Sequence, residues 1–204
     1  MADDPTGLAP LLGSRICHDL ASPLGALMAG LDLMEMAGQP TPELALMRES
    51  VDGARVTLDL MRLAFGQASA GASVDSDVLH RLLAAALAAR PRLTLTWAVN
   101  GTLPRSEAQQ LALALMCALH ALPRGGTVHV AREGAALALT ATGHVCVDPA
   151  LWDGLSGRAA LPDPDPRRIE FALLARLLAQ SGAALLINHE PESLQLILSQ
   201  VKAD

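Results

Sequence analysis

Residues 42–65 read PELALMRESVDGARVTLDLMRLAF, and this stretch decides the fold of the N-terminal part of the chain. Its apolar side chains recur at alternating intervals of three and four residues, the spacing of one apolar stripe along a helix. The stripe comprises Leu44, Met47, Val51, Ala54, Leu58, Met61 and Phe65. A helix with such a stripe needs a partner that covers it.

The preceding segment supplies that partner. It has the same kind of spacing, and its stripe comprises Leu12, Ile16, Leu20, Pro23, Leu27, Leu31 and Met34. Between the two helices, Gly38 predicts a C-terminal stop, and Thr41-Pro42 predicts an N-cap followed by the first helical residue. A short connection between two such helices predicts an antiparallel hairpin.

This hairpin has more apolar surface than one seam can hide. Leu24 and Met28 lie beside the stripe of the first helix, and Leu46 and Leu60 lie outside that of the second. A second hairpin from another copy of the chain would cover the excess, so we predict a homodimeric four-helix bundle. The alternative is that the C-terminal domain folds back over the extra stripe.

The remainder of the chain alternates between helical and strand patterns. Residues 66–76 are small and polar and predict a linker. Helices are expected at Asp77–Arg90, at Ser106–Leu122 and from Arg167 to about Ser181, and strands at Leu93–Val99, Thr127–Arg132, Ala136–Thr142, Ala184–Asn188 and Leu194–Ser199. This order predicts an α+β fold in which helices cover one face of a mixed sheet. We place the helical hairpin domain at 1–68 and the α/β sandwich domain at 74–204.

Composition excludes several classes of function. The chain has 204 residues, 15 Lys+Arg against 21 Asp+Glu and 2% aromatic residues, so it lacks the basic surface and stacking side chains of nucleic-acid-binding proteins. At 51% hydrophobic residues, it is too apolar for a disordered chain.

Location is indicated by three further features. The N-terminus has no basic region of a secretory signal, and the longest apolar stretch, Leu111 to Leu122, is too short to cross a bilayer. The cysteines, Cys17, Cys117 and Cys146, lack C-x-x-C spacing, which favours reduced thiols. We therefore expect a cytoplasmic protein without membrane or nucleic-acid partners.

The most informative stretch for function is residues 14–26, SRICHDLASPLGA. If the stripe through Ile16, Pro23 and Leu27 faces inward, His18 points about 160° away from it, towards solvent. A lone exposed histidine is usually an ordinary surface residue. Here Asp19 adjoins it, and Pro23 cannot donate a hydrogen bond to the Asp19 carbonyl, so the helix is expected to be strained or kinked there.

Small side chains are expected on the same face as His18. They are Ser14, Ala21, Gly25 and Ala29. A smooth strip around a single nucleophile would let a helix of another protein approach closely.

This segment resembles the H-box of histidine-kinase dimerisation domains, and most closely that of the ChpT-like histidine phosphotransferases, which read close to S-R-I-C-H-D-L-x-S-P-x-G-A. Those proteins pair a dimeric hairpin with a degenerate kinase-type ATPase domain, so the resemblance extends in layout over essentially the whole chain. It implies that His18 takes a phosphoryl group from a receiver-domain aspartate of a hybrid histidine kinase and passes it to a response regulator. A neutral imidazole nitrogen is a suitable nucleophile near pH 7.

The resemblance also suggests roles for the neighbours of His18. Asp19 would bias the tautomer or charge state of the ring, while Arg15 would either stabilise phosphoryl oxygens or be an ordinary surface charge. The expected partner-binding positions are Ser14, Arg15, Ala21, Ser22, Gly25 and Ala29. The chain itself is expected to bind no cofactor and no metal, since Mg²⁺ would belong to the acidic pocket of the receiver.

Three positions oppose ATP-dependent kinase activity. With Gly125-Gly126 as the reference, the places of the Mg²⁺-binding asparagines of kinases hold Leu113 and Cys117, and neither suits a hard cation. Ala141, in Ala141-Thr142-Gly143, stands where kinases have the aspartate that reads adenine. No G-x-G-x-G loop precedes the helix at Arg167, and residues 152–157 are expected to form a turn.

Two other functions remain open. A dimeric scaffold could bind receivers without accepting phosphate, although it would have no need of His18, Asp19 and Pro23. An ATP-dependent histidine kinase is the third candidate.

The remaining histidines have no metal-binding spacing and are expected to be structural or at the surface: His80, His120, His129, His144 and His189. Cys17 is expected to be packed, and Arg167 with Arg168 is a weak docking pair for an acidic receiver.

Overall fold

A computed structural model describes residues 8–38, 41–69 and 71–200, with side chains from residue 13 onward. The chain divides after Gln67 into two compact units, which we call the hairpin unit and the sheet unit. The N-terminal residues on which the absence of a signal was predicted lie outside the described range.

The hairpin unit consists of α1 (Leu8–Ala37) and α2 (Pro42–Phe65). The predicted stop and N-cap are confirmed, because α1 ends just before Gly38 and the Thr41 hydroxyl accepts a hydrogen bond from the Leu44 backbone N–H at 3.2 Å. Gln39 and Pro40 of the predicted connection lie outside the described residues. α1 continues as a helix through Pro23.

The stripe of α1 that packs within the hairpin differs from the predicted one. Cys17 and Leu31 are buried, and Ala21, Leu24 and Met28 are half-buried. These five residues recur at the same intervals of three and four residues. They form the true hairpin stripe of α1.

Among the members of the predicted α1 stripe whose side chains the structure describes, only Leu31 packs inside the hairpin, so the prediction was wrong for the others. Its four exposed large hydrophobic members are Ile16 at 50%, Leu20 at 53%, Leu27 at 57% and Met34 at 55%. Pro23 is also exposed, and the Leu12 side chain lies outside the described residues. Periodicity could not distinguish the two stripes, because they have the same spacing and adjoin each other on the helix.

On α2 the prediction holds for every second member of the stripe. Leu44 and Leu58 are buried and Val51 and Phe65 are half-buried. The alternate members stay exposed, namely Met47, Ala54 and Met61. Each helix thus has apolar residues inside the hairpin and a second apolar stripe outside it.

Arg48 links the two helices near their connection. Its Nη2 donates to Asp32 Oδ1 at 2.6 Å and to Glu35 Oε2 at 2.9 Å, and its Nε donates to Glu35 Oε1 at 3.0 Å. A guanidinium held by two carboxylates is well ordered, so Arg48 helps to fix the register of α1 against α2.

The sheet unit contains seven strands and four helices within residues 71–200. In chain order they are β1 (Ser73–Asp75), α3 (Ser76–Ala88), β2 (Leu93–Ala98), β3 (Thr102–Pro104), α4 (Arg105–His120), β4 (Gly126–Glu133), β5 (Ala136–Thr142), α5 (Pro149–Leu155), α6 (Ile169–Ser181), β6 (Ala184–Glu190) and β7 (Ser193–Ser199). Five strands form a sheet in the order β2-β4-β5-β7-β6, in which β2 and β4 are parallel and the other neighbours are antiparallel. The predicted α+β fold with a mixed sheet is confirmed.

One face of this sheet forms the core. Val128, Val130, Leu139, Leu194 and Leu196 are completely buried there, where α4 contacts β5 and β7 and α3 contacts β2. The opposite face carries mainly threonine, alanine and other polar or small residues, as expected for a sheet with one covered face. The prediction of helices on one face is therefore confirmed.

Three short elements were not predicted. Part of the expected linker forms β1, which pairs with β3 in a separate two-stranded ribbon. Residues 152–157, expected to be a turn, belong largely to α5, whose N-cap is Asp148 and whose first residue is Pro149. Three-residue strands that pair over a long sequence distance leave no periodic signal, whereas the Asp-Pro pair before α5 was a usable one.

A junction of three glycines joins the ends of β2, β4 and β5. Gly143 has φ +153°, and a Cβ there would lie 2.8 Å from the Gly125 carbonyl oxygen and 3.3 Å from the Gly126 Cα. A Cβ on Gly126 would collide with the Thr142 carbonyl, and one on Gly125 with the Arg92 carbonyl. Backbone approaches backbone so closely here that side chains are excluded.

One helix of the described residues, Gly13–Ala37 of α1, is long and apolar enough to cross a membrane by length and composition. The helix is longer than the apolar stretch Leu111 to Leu122, on which the expectation of no membrane span depends. This is weak evidence for a membrane span, because the core helix of a soluble protein or a signal sequence meets the same criterion.

Candidate functional site

The candidate site lies on the exposed side of α1, where the His18 side chain is 82% accessible to solvent. The prediction that His18 faces solvent is confirmed. Its neighbour Cys17 is only 6% exposed, and its predicted packing is confirmed as well. Successive residues of a helix point about 100° apart, which separates these two side chains.

Asp19 is held between two positively charged or polar neighbours. Arg15 Nε donates to Asp19 Oδ2 at 2.8 Å, and His18 Nδ1 lies 3.3 Å from Asp19 Oδ1. The hydrogen bonds from His18 and from Arg15 hold the pKa of the Asp19 carboxyl below its ordinary value. Asp19 is therefore ionised at neutral pH.

The contact between Asp19 and His18 determines which ring nitrogen is reactive. An ionised carboxylate only accepts hydrogen bonds, so the contact places the ring proton on Nδ1 when His18 is neutral. Nε2 then has a free lone pair. With the ring exposed, Nε2 can act as a nucleophile towards an atom of another protein.

A strip of small residues extends from His18 along α1. Ser22, Gly25 and Ala29 lie within about 40° of the His18 direction and are exposed. A Cβ placed on Gly25 would have no atom within 4 Å. The strip is therefore open to another molecule.

Two of the predicted strip residues are less accessible. Ala21 belongs to the hairpin stripe and is half-buried. Ser14 is also half-buried, and its hydroxyl accepts a hydrogen bond from the Gln67 backbone N–H at 3.4 Å. Both lie towards the hairpin stripe because that stripe runs through Cys17 and Ala21, closer to the His18 face than the predicted stripe.

Sequence reasoning missed two large apolar residues on the same face. Leu33 is 67% exposed and Met36 is 85% exposed. They lie within about 60° of the His18 direction and roughly 22–27 Å further along α1. The helical period measured from His18 was the signal that could have found them.

The predicted degenerate nucleotide positions are all in the core of the sheet unit. Leu113, Cys117 and Ala141 have no exposed surface. Burial raises the pKa of the Cys117 thiol, and the nearby charge of Glu170 raises it further. An alkyl group, a neutral thiol and a methyl group do not fit Mg²⁺ or the adenine amine. Within residues 8–38, 41–69 and 71–200, no group of three or more His, Cys, Asp or Glu side chains is close enough for a metal ion.

A buried carboxylate in the same unit was not found from the sequence. Glu170, at the start of α6, is 5% exposed and bonds through Oε1 to Nε2 of His120, at the end of α4. Phe171 packs edge-on against Trp152, with ring centroids 5.2 Å apart. The Glu170–His120 pair joins two helices that are far apart in the sequence, so no local residue spacing could predict it.

The other histidines and the arginine pair singled out in the sequence are stacked, hydrogen-bonded or exposed. His80 stacks on Trp97 with centroids 5.3 Å apart, and His129 Nδ1 lies 2.8 Å from the Thr96 hydroxyl. In the predicted docking pair, Arg168 is bound to Asp148 at 2.7 Å. His144, His189 and Arg167 are exposed.

Comparisons with known proteins agree with this arrangement. The family model of the histidine phosphotransferase C-terminal domain matches residues 77–193. The protein phosphotransferase ChpT of Brucella abortus (strain 2308) is 30% identical over 194 residues and covers 92% of each chain. A bacterial phosphotransferase solved at 1.7 Å is 27% identical, covers 98% of both chains and superposes with a TM-score of 0.71. The chain therefore belongs to the ChpT-like family of histidine phosphotransferases, which act in phosphorelays.

Proposed function

We propose that His18 is the phosphoacceptor of this histidine phosphotransferase. The observation that carries the proposal is the exposure of the ring, 82%, combined with the position of Asp19 Oδ1 at 3.3 Å from Nδ1. His18 takes the phosphoryl group from the aspartate of one receiver domain and gives it to the aspartate of another. The strip formed by Ser22, Gly25 and Ala29 leaves space for the receiver beside His18.

The transfer needs little covalent chemistry from the protein. The Nε2 lone pair forms a bond to phosphorus, the bond from phosphorus to the aspartyl oxygen breaks, and its electron pair leaves on the receiver carboxylate. The proton on Nδ1 stays in place, so the ring becomes a cation beside the Asp19 anion. Positioning and charge stabilisation carry such a reaction. Mg²⁺ is supplied by the receiver rather than by this chain.

We also propose that the sheet unit does not use ATP. Three core positions support this, Leu113, Cys117 and Ala141, none of which offers a ligand to Mg²⁺ or an acceptor to adenine. No step of the reaction is assigned to a nucleotide.

We further propose that the chain works as a cytoplasmic homodimer whose hairpins form a four-helix bundle. The support is the second apolar stripe of each helix, which includes Leu20, Leu27, Met47 and Met61, all more than 40% exposed in a single chain. An apolar surface of this kind on a soluble protein marks an interaction site. The same stripe explains the apolar character of α1 without a membrane.

Transfer from a labelled phospho-receiver tests the function. The protein is mixed with a ³²P-labelled phospho-receiver or, separately, with labelled ATP, and acid-labile, alkali-stable label on this chain is measured. We expect label from the receiver but not from ATP, and we expect none in His18→Ala. His144→Ala, which removes another exposed histidine, is the matched control and should accept label normally.

The three candidate functions give different results. Receiver binding without label on this chain would contradict phosphotransfer and favour the scaffold. Label from ATP would contradict the proposed loss of nucleotide use. Label retained in His18→Ala would show that a residue other than His18 accepts the phosphoryl group.

A further inference from the structure

Arg15 is placed to control the orientation of the Asp19 carboxylate. It precedes Asp19 by four residues, one helical turn, and its Nε donates to Oδ2 at 2.8 Å. A carboxylate is planar, so a bond to one oxygen also fixes the direction of the other. That other oxygen, Oδ1, is the atom that lies 3.3 Å from His18 Nδ1.

We propose that Arg15 is a positioning residue for phosphotransfer, acting on His18 through Asp19. By fixing the Asp19 carboxylate, Arg15 keeps the neutral ring of His18 in the tautomer with the proton on Nδ1. Nε2 is then ready to attack phosphorus in every encounter with a phospho-receiver. The proposal rests on the proposed role of His18 as phosphoacceptor.

The contact between Arg15 and Asp19 contributes little to the stability of the fold. The Arg15 side chain is 72% exposed and that of Asp19 is 50% exposed. Ion pairs this exposed contribute little to stability, because water screens the charges and ordering two side chains costs entropy. Stability therefore gives no reason for the contact, and the group on which it can act is the neighbouring ring of His18.

Arg15 also keeps Asp19 from acting as a base. The hydrogen bonds from His18 and Arg15 stabilise the ionised carboxylate, which lowers its affinity for a proton. The Nδ1 proton consequently stays on the ring while Nε2 bonds to phosphorus and the receiver carboxylate departs. Asp19 then faces a cationic ring, which it stabilises in both directions of transfer.

Two other roles of Arg15 make different predictions. A direct contact with phosphoryl oxygens would leave the ring tautomer of the free protein unaffected by its removal. An ordinary surface charge would leave both the tautomer and the transfer rate unaffected. In the structure, the Nε of Arg15 is bonded to Asp19, as the positioning role requires.

The test measures the tautomer and the transfer rate in the same variants of the full chain. ¹⁵N NMR of histidine-labelled protein reports which ring nitrogen of His18 carries the proton, and single-turnover transfer from a phospho-receiver gives the rate and the receiver concentration at half-maximal rate. Arg15→Gln removes the charge, Arg15→Lys keeps it, and Arg81→Gln is a control that removes an exposed charge from α3.

In Arg15→Gln we expect the proton to shift from Nδ1 towards Nε2 and the maximal rate to fall on the order of tenfold, as for the loss of other orienting partners. The half-saturating receiver concentration and the thermal midpoint should not change. Arg15→Lys should lie between Arg15→Gln and the parent protein in both measurements. Arg81→Gln should match the parent protein.

An unchanged tautomer in Arg15→Gln overturns the proposal, whether the rate falls or not. If receiver binding weakens while the tautomer is unchanged, Arg15 contacts the receiver or its phosphoryl group instead. The proposed function fails separately, through label retained in His18→Ala, because the tautomer is measured in the free protein without any transfer.

Discussion

At the scale of single residues, the direction of a side chain on α1 decides its chemistry. His18 was correctly predicted to be exposed although the stripe used for that prediction was the wrong one. It lies about 100° from the true hairpin stripe and about 165° from the exposed one, so it faces solvent with either choice. Ser14 and Ala21 are nearer to the boundary between faces, and their accessibility depended on which stripe is inside.

Gly25 allows a test of the open strip beside His18. Gly25→Trp should weaken receiver binding and slow transfer, because it fills the space that the receiver needs, while the helical content and the oligomeric state stay unchanged. Gly53→Trp is the matched control, since Gly53 is also an exposed helical glycine with open space around it, on α2. Equal transfer kinetics in the two variants would contradict a docking role for the strip.

The three thiols should differ in reactivity. Cys146 is exposed, whereas Cys17 and Cys117 are buried, and burial raises the pKa of the Cys117 thiol. Mass spectrometry after brief maleimide treatment at pH 8 should find label at Cys146, with the other two labelled after unfolding. Cys146→Ser should remove the rapid reaction, and rapid label at Cys117 would contradict its burial.

The same pKa shift sets a direction for stability against pH. Because the folded protein holds the Cys117 proton more tightly than the unfolded chain does, this stabilisation is complete below pH 9, the ordinary pKa of the thiol. It is lost as the pH rises above that value. Urea unfolding at pH 8 and pH 10 should show the decline, and Cys117→Ala should reduce it.

At the scale of elements, local signals predicted the long helices and strands of the sheet unit, while pairings between residues far apart in the sequence were not predicted. β5 was predicted with its observed limits because its apolar residues alternate between turn residues. β1 and β3 are too short to show a period, and they form only because each finds the other. The bond between Glu170 and His120 belongs to the same class, since folding alone brings α4 and α6 together.

Removing His120 tests how strongly that bond stabilises the α4–α6 contact. His120→Ala leaves the buried Glu170 carboxylate without this partner and should lower the free energy of unfolding by about 1–3 kcal/mol. Glu170→Gln in the same background should recover part of the loss, because it removes the unpaired charge. Urea denaturation provides the measurement.

Arg168→Ala is the control for that experiment. Its bond to Asp148 is exposed, so its removal should cost less than about 1 kcal/mol. A loss in His120→Ala no larger than that in Arg168→Ala would contradict the importance of the buried bond.

At the scale of the whole molecule, both apolar stripes of the hairpin are visible in the sequence, but the sequence does not show which of them packs inside the hairpin. Packing inside one chain uses residues such as Cys17 and Leu31, and leaves Leu20 and Leu27 exposed. The excess of apolar surface could be predicted from the apolar residues on the two helices, and it supports the proposed second hairpin. Which stripe packs inside one chain could not be predicted, because both stripes have the same spacing.

Two leucines of similar exposure distinguish the proposed dimer surface from other apolar surface. Leu27 is 57% exposed on the second stripe of α1, whereas Leu33 is 67% exposed on the His18 face. Leu27→Glu should dissociate the dimer, because it places a charge in the bundle core, and Leu33→Glu should not. Sedimentation at several protein concentrations measures both, and a dimeric Leu27→Glu variant would contradict this interface.

The three-glycine junction has a consequence for how Gly143 is interpreted. Gly143 is the last residue of the Ala141-Thr142-Gly143 segment, which the resemblance to kinases places at the adenine-reading position. Its neighbours Gly125 and Gly126 leave no volume for a side chain there. Backbone crowding alone is therefore enough to require glycine at position 143. A glycine there reports how closely three strand ends pack, and it carries no information about whether this domain binds a nucleotide.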